Sequence, residues 1–176
     1  SYIDIMLMFR MSKKPFVFVG KKELIKIPFF GYLYKRAAIT VDRSSFESRK
    51  EVYKNAIPFI NKGYSICVFP EREYLDETIL LNQFKRGAFK IAIEHKLPIL
   101  PIVFLDCKRK FPWYTTHGFP GQLRAKALDI IDTNAMSEKN INQLTDIMHK
   151  NISKELMHDP KQNAVKAILV WKKITS

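Results

Sequence analysis

The strongest constraint in this chain is the alternation of short, β-branched apolar runs with amphipathic helical segments, which is the pattern of βαβ units around a largely parallel sheet. Five runs read as strands: residues 16–19 (FVFV, led by Lys14-Pro15), 37–41 (AAITV), 64–69 (YSICVF), 99–105 (ILPIVFL) and 123–131 (LRAKALDII). The middle runs are apolar at consecutive positions, which predicts helices on both faces. Three further segments read as those helices. Ser44 and Glu47 make a capping box ahead of a stripe of Val52/Ala56 and Tyr53/Ile57/Ile60. Residues 83–96 put Phe84, Ala88, Ile91 and Ala92 on one face and must stop before Pro98, which cannot continue a helix. Ser137 caps a long amphipathic helix whose apolar side is Ile141, Leu144, Met148 and Ile152. The expected architecture is α/β, a central mostly parallel sheet flanked by helices, in a single domain over residues 1–176.

Composition supports a packed core and points to an anionic partner. Of 176 residues, 47% are apolar and only 6 are Gly, which excludes a disordered or low-complexity chain. Thirty Lys+Arg against 17 Asp+Glu give a net charge of +13, so nucleic acid, a phosphorylated metabolite or a lipid headgroup are the candidate partners. The charge is unevenly placed: residues 1–50 carry eleven basic and four acidic residues. Residues 107–126 carry five basic residues and no acid, interleaved with Phe111, Trp113, Tyr114 and Phe119. Such aromatics can stack on bases or sit at headgroup level in a membrane interface. No helix-turn-helix, RRM or zinc pattern accompanies the charge, so nucleic acid is not the expected partner.

The longest apolar stretch, residues 97–105, has nine residues and two prolines, whereas a membrane-spanning helix needs about 20. The apolar run 5–9 is preceded by Asp4 and ended by Arg10, which is wrong for a signal peptide. Cys67 and Cys107 stand in apolar or strand-like contexts and read as reduced core thiols of a cytosolic compartment. His95, His117, His149 and His158 form no ligand spacing, and no metal site is expected.

In an open α/β sheet the ligand sits beyond the carboxyl ends of the strands. Lys21-Lys22-Glu23, Asp42-Arg43 and Phe69-Pro70-Glu71-Arg72 follow three of the predicted strands. A crevice lined by Lys21, Arg43 and Arg72 would attract a phosphate, since an arginine fork matches phosphate oxygens and a lysine supplies a point charge.

The ordered segments Ser-Tyr-Ile-Asp, PFVFVGKKEL, ITVDR, FPE, FKRGAFKIA and LPILPIVF resemble the glycerolipid acyltransferases of the 1-acyl-glycerol-3-phosphate acyltransferase family, from Ser1 to about Thr133. The resemblance implies transfer of an acyl group from acyl-CoA or acyl carrier protein to a lysophospholipid hydroxyl, with no cofactor beyond that co-substrate. It implies a catalytic motif Asn-His-x-x-x-x-Asp, whose aspartate is matched by Asp4 and whose histidine, the general base, would stand two residues before Ser1. The chain is therefore expected to be a piece of a longer protein that also carries an anchor. Lys21 and Arg43 are implied to bind the substrate phosphate, and Glu71, which matches the glutamate of the third motif, is implied to belong to the same phosphate-binding set. Arg72, Glu73 and Tyr74 depart from that motif's usual Gly, Thr and Arg, so Arg72, or Lys85 and Arg86, would supply the missing cation. Pro98 and Pro101 fit a fourth motif implied to shape the acyl pocket, and equally fit a rigid approach to a strand. The implied partners are a lysophospholipid acceptor, an acyl thioester donor and an anionic membrane surface, at the cytoplasmic face of a bacterial inner membrane. Glycerol-3-phosphate or a lyso-aminolipid is the alternative acceptor, and a non-enzymatic basic membrane- or nucleic-acid-binding domain is the alternative class.

Overall fold

The structure is a computed structural model, and it describes residues 2–21, 25–26, 30–41, 46–71, 79–111, 118 and 120–161. The elements run α1 (Tyr2–Met11), β1 (Phe16–Lys21), α2 (Phe30–Ala37), β2 (Ala38–Val41), α3 (Phe46–Asn61), β3 (Ser65–Val68), α4 (Gly87–Glu94), β4 (Ile102–Phe104), α5 (Cys107–Lys110), β5 (Ala125–Ala127) and α6 (Ile141–His158). They form two compact units, residues 10–69 and residues 70–176 joined by the first nine.

Residues 10–69 build a parallel three-stranded sheet in the order β2-β1-β3. Phe18 is in register with Ala38 and Lys21 with Val41, while Phe16 faces Ser65 and Val19 faces Val68. Val17 and Phe18, consecutive residues of the central strand, are both buried, as a strand covered on both faces requires. On the edge strand β2, Ile39 and Val41 alternate inward. Helix α2 packs on β1 and β2, and α3 packs on β2 and β3. The inner face of α3 is Val52 and Ala56; Ile57, expected on that stripe, is 40% exposed. Pro58 lies in the last turns of α3, where it withholds one helical N–H. The expected cap Ser44 lies outside the described residues.

In the other unit, the core is Phe89 and Ile93 of α4 against Leu144 and Met148 of α6, with Phe84, Ile99, Ile131, Met136, Ile141 and Ile152 packed around it. The predicted apolar side of α6 is thus the side it buries. Its approach is fastened by Asn140 Oδ1, which accepts from the Ser137 N–H at 2.8 Å and lies 3.1 Å from Ser137 Oγ. Helix α4 is shorter than the expected 83–96: it starts at Gly87, and Phe84 instead makes an antiparallel bridge with Glu71. At its other end Lys96 adopts a left-handed φ of 53°, and the Leu97 N–H donates to the Ala92 carbonyl at 2.8 Å, closing the helix before Pro98. Buried Thr133 supports the same end, its Oγ1 lying 2.9 Å from the Leu97 carbonyl and 3.2 Å from that of Ala92.

The last two expected strands are trimmed to three residues each and pair antiparallel, Ile102 with Ala127 and Phe104 with Ala125, in a sheet separate from the first. Their flanks touch once more at an Ile99–Ile131 bridge. Helices α1 and α2 were not anticipated. The run YIDIMLMFRM is apolar at nearly every position and shows no clean helical period, yet α1 buries Ile5 and Met8 and leaves Met6 and Phe9 exposed.

Candidate functional site

Asp4 stands in the first turn of α1, where a carboxylate is favoured by the helix dipole. It is half-buried, close to the thiol of Cys107, the buried first residue of α5. Burial pushes the Cys107 thiol up, and the nearby Asp4 carboxylate pushes it further. Cys67 in β3 is likewise pushed up by burial, to about 12. Both cysteines are free thiols.

Immediately before Cys107, Asp106 is fully buried and ringed by donors. Arg124 reaches it with its main-chain N–H, Nε and Nη2, each at 2.8 Å, and Arg109 reaches it with Nη2 at 2.5 Å. The same Arg124 guanidinium grips Asp159, the residue that ends α6, through Nη1 at 2.8 Å and Nη2 at 2.7 Å. Burial alone would raise the Asp106 carboxyl; the hydrogen bonds from Arg124 and Arg109 outweigh it and hold the group well below the usual carboxylate range. Arg124 also lowers Asp159. One guanidinium therefore ties the start of α5, the approach to β5 and the end of α6.

This network gives the basic run 107–126 partners within the protein. Arg109 and Arg124 are bound to Asp106, and Lys126 pairs with Glu155 at 2.7 Å. Lys108 and Lys110 donate to the carbonyls of Ile79 and Pro120 at 2.6 Å and 2.9 Å. A buried carboxylate recruits cations wherever the chain supplies them, and the acids lie outside the stretch whose charge was counted. Of the interleaved aromatics, Phe111 is exposed, and Trp113, Tyr114 and Phe119 lie outside the described residues.

Glu71 is held in detail. Its Oε1 accepts from the Asn82 main-chain N–H at 2.9 Å and from Asn82 Nδ2 at 3.3 Å, and the Lys85 N–H donates to the Pro70 carbonyl at 2.8 Å. Lys21 is the last residue of β1, and its partner Val41 ends β2 two positions before Arg43. Two of the three cation-bearing strand ends are thus neighbours at the carboxyl edge of one sheet, as the strand-end argument expects. Arg43 and Arg72 themselves lie outside the described residues. Pro98 is exposed; Pro101 is buried just before β4, its carbonyl accepting from the Leu128 N–H at 2.9 Å. Asn82, Asp106 and Arg124 were not singled out from the sequence: Asp106 directly follows the predicted strand 99–105 and Arg124 stands at the start of the next, but the pairing that joins them spans 18 positions and leaves no local signal.

Residues 10–69 thus form an α/β unit whose adjacent parallel strands β1 and β2 end together at Lys21 and Val41. The sequence model of the Acyltransferase family matches residues 1–105, and the chain belongs to the acyltransferase family. A 1-acyl-sn-glycerol-3-phosphate acyltransferase of Cocos nucifera is 32% identical over 154 residues, which are 85% of this chain and 49% of that protein. One of Haemophilus influenzae is 34% identical over 143 residues, 78% of this chain and 58% of that protein. The chain spans about half the length of the curated relatives it matches. Among solved structures, the crystal structure of the 1-acyl-sn-glycerophosphate (LPA) acyltransferase PlsC from Thermotoga maritima superposes with a TM-score of 0.63 at 21% identity, over 82% of this chain and 58% of that one. The fold is shared.

Proposed function

We propose that the protein moves a fatty acyl group from acyl-CoA or acyl carrier protein to the free hydroxyl of 1-acylglycerol-3-phosphate, giving phosphatidic acid for phospholipid synthesis. The observation that carries this reading is the family match over residues 1–105, which takes in Asp4, Lys21, Arg43 and Glu71 together. A neutral hydroxyl is a poor nucleophile until a base within hydrogen-bond reach takes its proton. In the motif that the family resemblance implies, that base is a histidine, and the aspartate matched by Asp4 orients it. The hydroxyl oxygen attacks the thioester carbon as its proton passes to the imidazole. Collapse of the tetrahedral adduct breaks the C–S bond, and the departing thiolate takes the proton back. The Cys107 thiol, held protonated at neutral pH, is not a nucleophile. Lys21, Arg43 and Arg72 hold the acceptor's phosphate, with Glu71 in the same acceptor site, and Pro98 and Pro101 border the acyl chain. The surplus positive charge favours an anionic membrane surface, at the cytoplasmic face of the membrane where the acceptor resides. No helix among the described residues is long and apolar enough to cross a membrane.

The test is acyl transfer by the full protein that contains this chain, with labelled acyl-CoA and lysophosphatidic acid in mixed micelles. Phosphatidic acid should form, and Asp4→Asn should lower kcat by at least about 100-fold, the scale of a misoriented base. Turnover unchanged by Asp4→Asn would remove Asp4 from the mechanism, and acylation of glycerol-3-phosphate in preference to the lysolipid would change the acceptor.

A further inference from the structure

Glu71 and Asn82 face each other across a short antiparallel ribbon. The ribbon is closed by the Glu71–Phe84 bridge and by the bond from Lys85 N–H to the Pro70 carbonyl. Its returning limb is anchored from below: Phe84 packs edge-on to His149 with ring centres 5.0 Å apart, and His149 Nε2 lies 3.4 Å from the Leu81 carbonyl. Phe84 also joins the buried cluster of Phe89, Ile93, Leu144 and Met148. Asn82, between Leu81 and Phe84, is therefore fixed by its neighbours on both sides. Both of its N–H groups converge on one oxygen of Glu71, Oε1. The other oxygen, Oε2, has no hydrogen bond among the described residues.

We propose that Asn82 is the positioning residue for Glu71, saturating Oε1 so that Oε2 is presented to a hydroxyl of the glycerol acceptor. A carboxylate repels a phosphate but accepts strongly from a hydroxyl, so the charge of Glu71 suits the glycerol backbone of the acceptor and not its headgroup. Two donors on one oxygen lock the carboxylate's rotation, and a preorganised acceptor orients a substrate better than a mobile one. This inference rests on the acyl-transfer reading.

The test is steady-state kinetics of the full protein with acceptor and acyl donor varied separately, beside calorimetric binding of lysophosphatidic acid. Asn82→Ala removes the Nδ2 bond, leaves the main-chain bond, and should raise KM for the acceptor about fivefold, the worth of one ordinary hydrogen bond. Asn82→Asp sets an oxygen against Oε1 and should raise it by more than about tenfold through like-charge repulsion. In both variants KM for the donor stays unchanged. Combined with Glu71→Gln, either change should add nothing further, because Asn82 acts through the carboxylate. A parallel rise in both KM values, or additive effects in the double variant, overturns the proposal. Should Asn82→Asp fail to fold, Asn82→Ala and its combination with Glu71→Gln carry the same comparison. A wild type that neither binds nor acylates lysophosphatidic acid overturns the acyl-transfer reading and this inference with it. A wild type that does both, with Asn82 variants identical to it, overturns this inference alone.

Discussion

Asp106 is the residue on which the helical unit leans most heavily. Its carboxylate has no exposure to water, and its charge is tolerated because Arg124 and Arg109 surround it. Asp106→Asn should destabilise the protein by about 3 kcal/mol, since it discards charge-assisted bonds from two arginines in a dry site. Urea unfolding followed by circular dichroism measures this. The pH dependence has a definite sign. Asp106 and Asp159 both titrate lower in the folded protein than in the unfolded chain, so their stabilisation is complete at neutral pH and is lost as pH falls. The urea midpoint should hold steady from pH 7 to about 5 and drop below that, and the drop should be shallower in Asp106→Asn. The two thiols make a further prediction: with both raised by burial, neither Cys67 nor Cys107 should react with Ellman's reagent at pH 8 until urea is added.

The elements depend on a few close approaches. Gly20 of β1 sits under Tyr34 of α2, where an added Cβ would fall 1.5 Å from the phenol oxygen and 2.7 Å from Cζ. Gly20→Ala must displace that buried ring and should destabilise the 10–69 unit by about 1–3 kcal/mol, read from the melting transition. Leu144 lies at the centre of the α4–α6 contact, and Leu144→Ala should cost about 2–5 kcal/mol. Lys96 works in the opposite direction. Its left-handed backbone favours Gly, so Lys96→Gly should stabilise by roughly 0.5–1 kcal/mol even though the Nζ bond to the Met136 carbonyl is lost. The legibility of these elements varied with their pattern. Helix α6 showed its apolar side plainly through Ile141, Leu144, Met148 and Ile152. Helix α1 hid because almost every residue in it is apolar, and α2 hid because the strand that follows begins at Ala38 with no intervening loop.

The charge of the whole molecule divides more finely than a net +13 suggests. Arg109, Arg124 and Lys126 are structural, each bound to an acid of the same unit. Lys13 and Lys14, by contrast, are exposed beside the end of α1. Binding of the protein to anionic vesicles should fall with salt, and Lys13→Glu with Lys14→Glu should weaken it about 30-fold or more at low salt, each nearby cation contributing about 1 kcal/mol. Lys126→Ala should leave it unchanged. Vesicle sedimentation at two salt concentrations decides this.

The α/β class and the positions of the first three strands were readable from the chain alone, because apolar periodicity and turn residues act over a few neighbouring positions. Lys21, Arg43 and Glu71 could be placed at strand ends on that basis, without knowledge of what surrounds them. The separation into two sheets, the antiparallel turn of β4 and β5, and the partners of the polar groups could not. Arg124 finds Asp106 across 18 positions and Asp159 across 35, and Asn82 meets Glu71 across 11. Such pairings exist only once the backbone has closed those loops, and burial then decides which charges must be neutralised within the protein and which are left to meet a ligand or a surface.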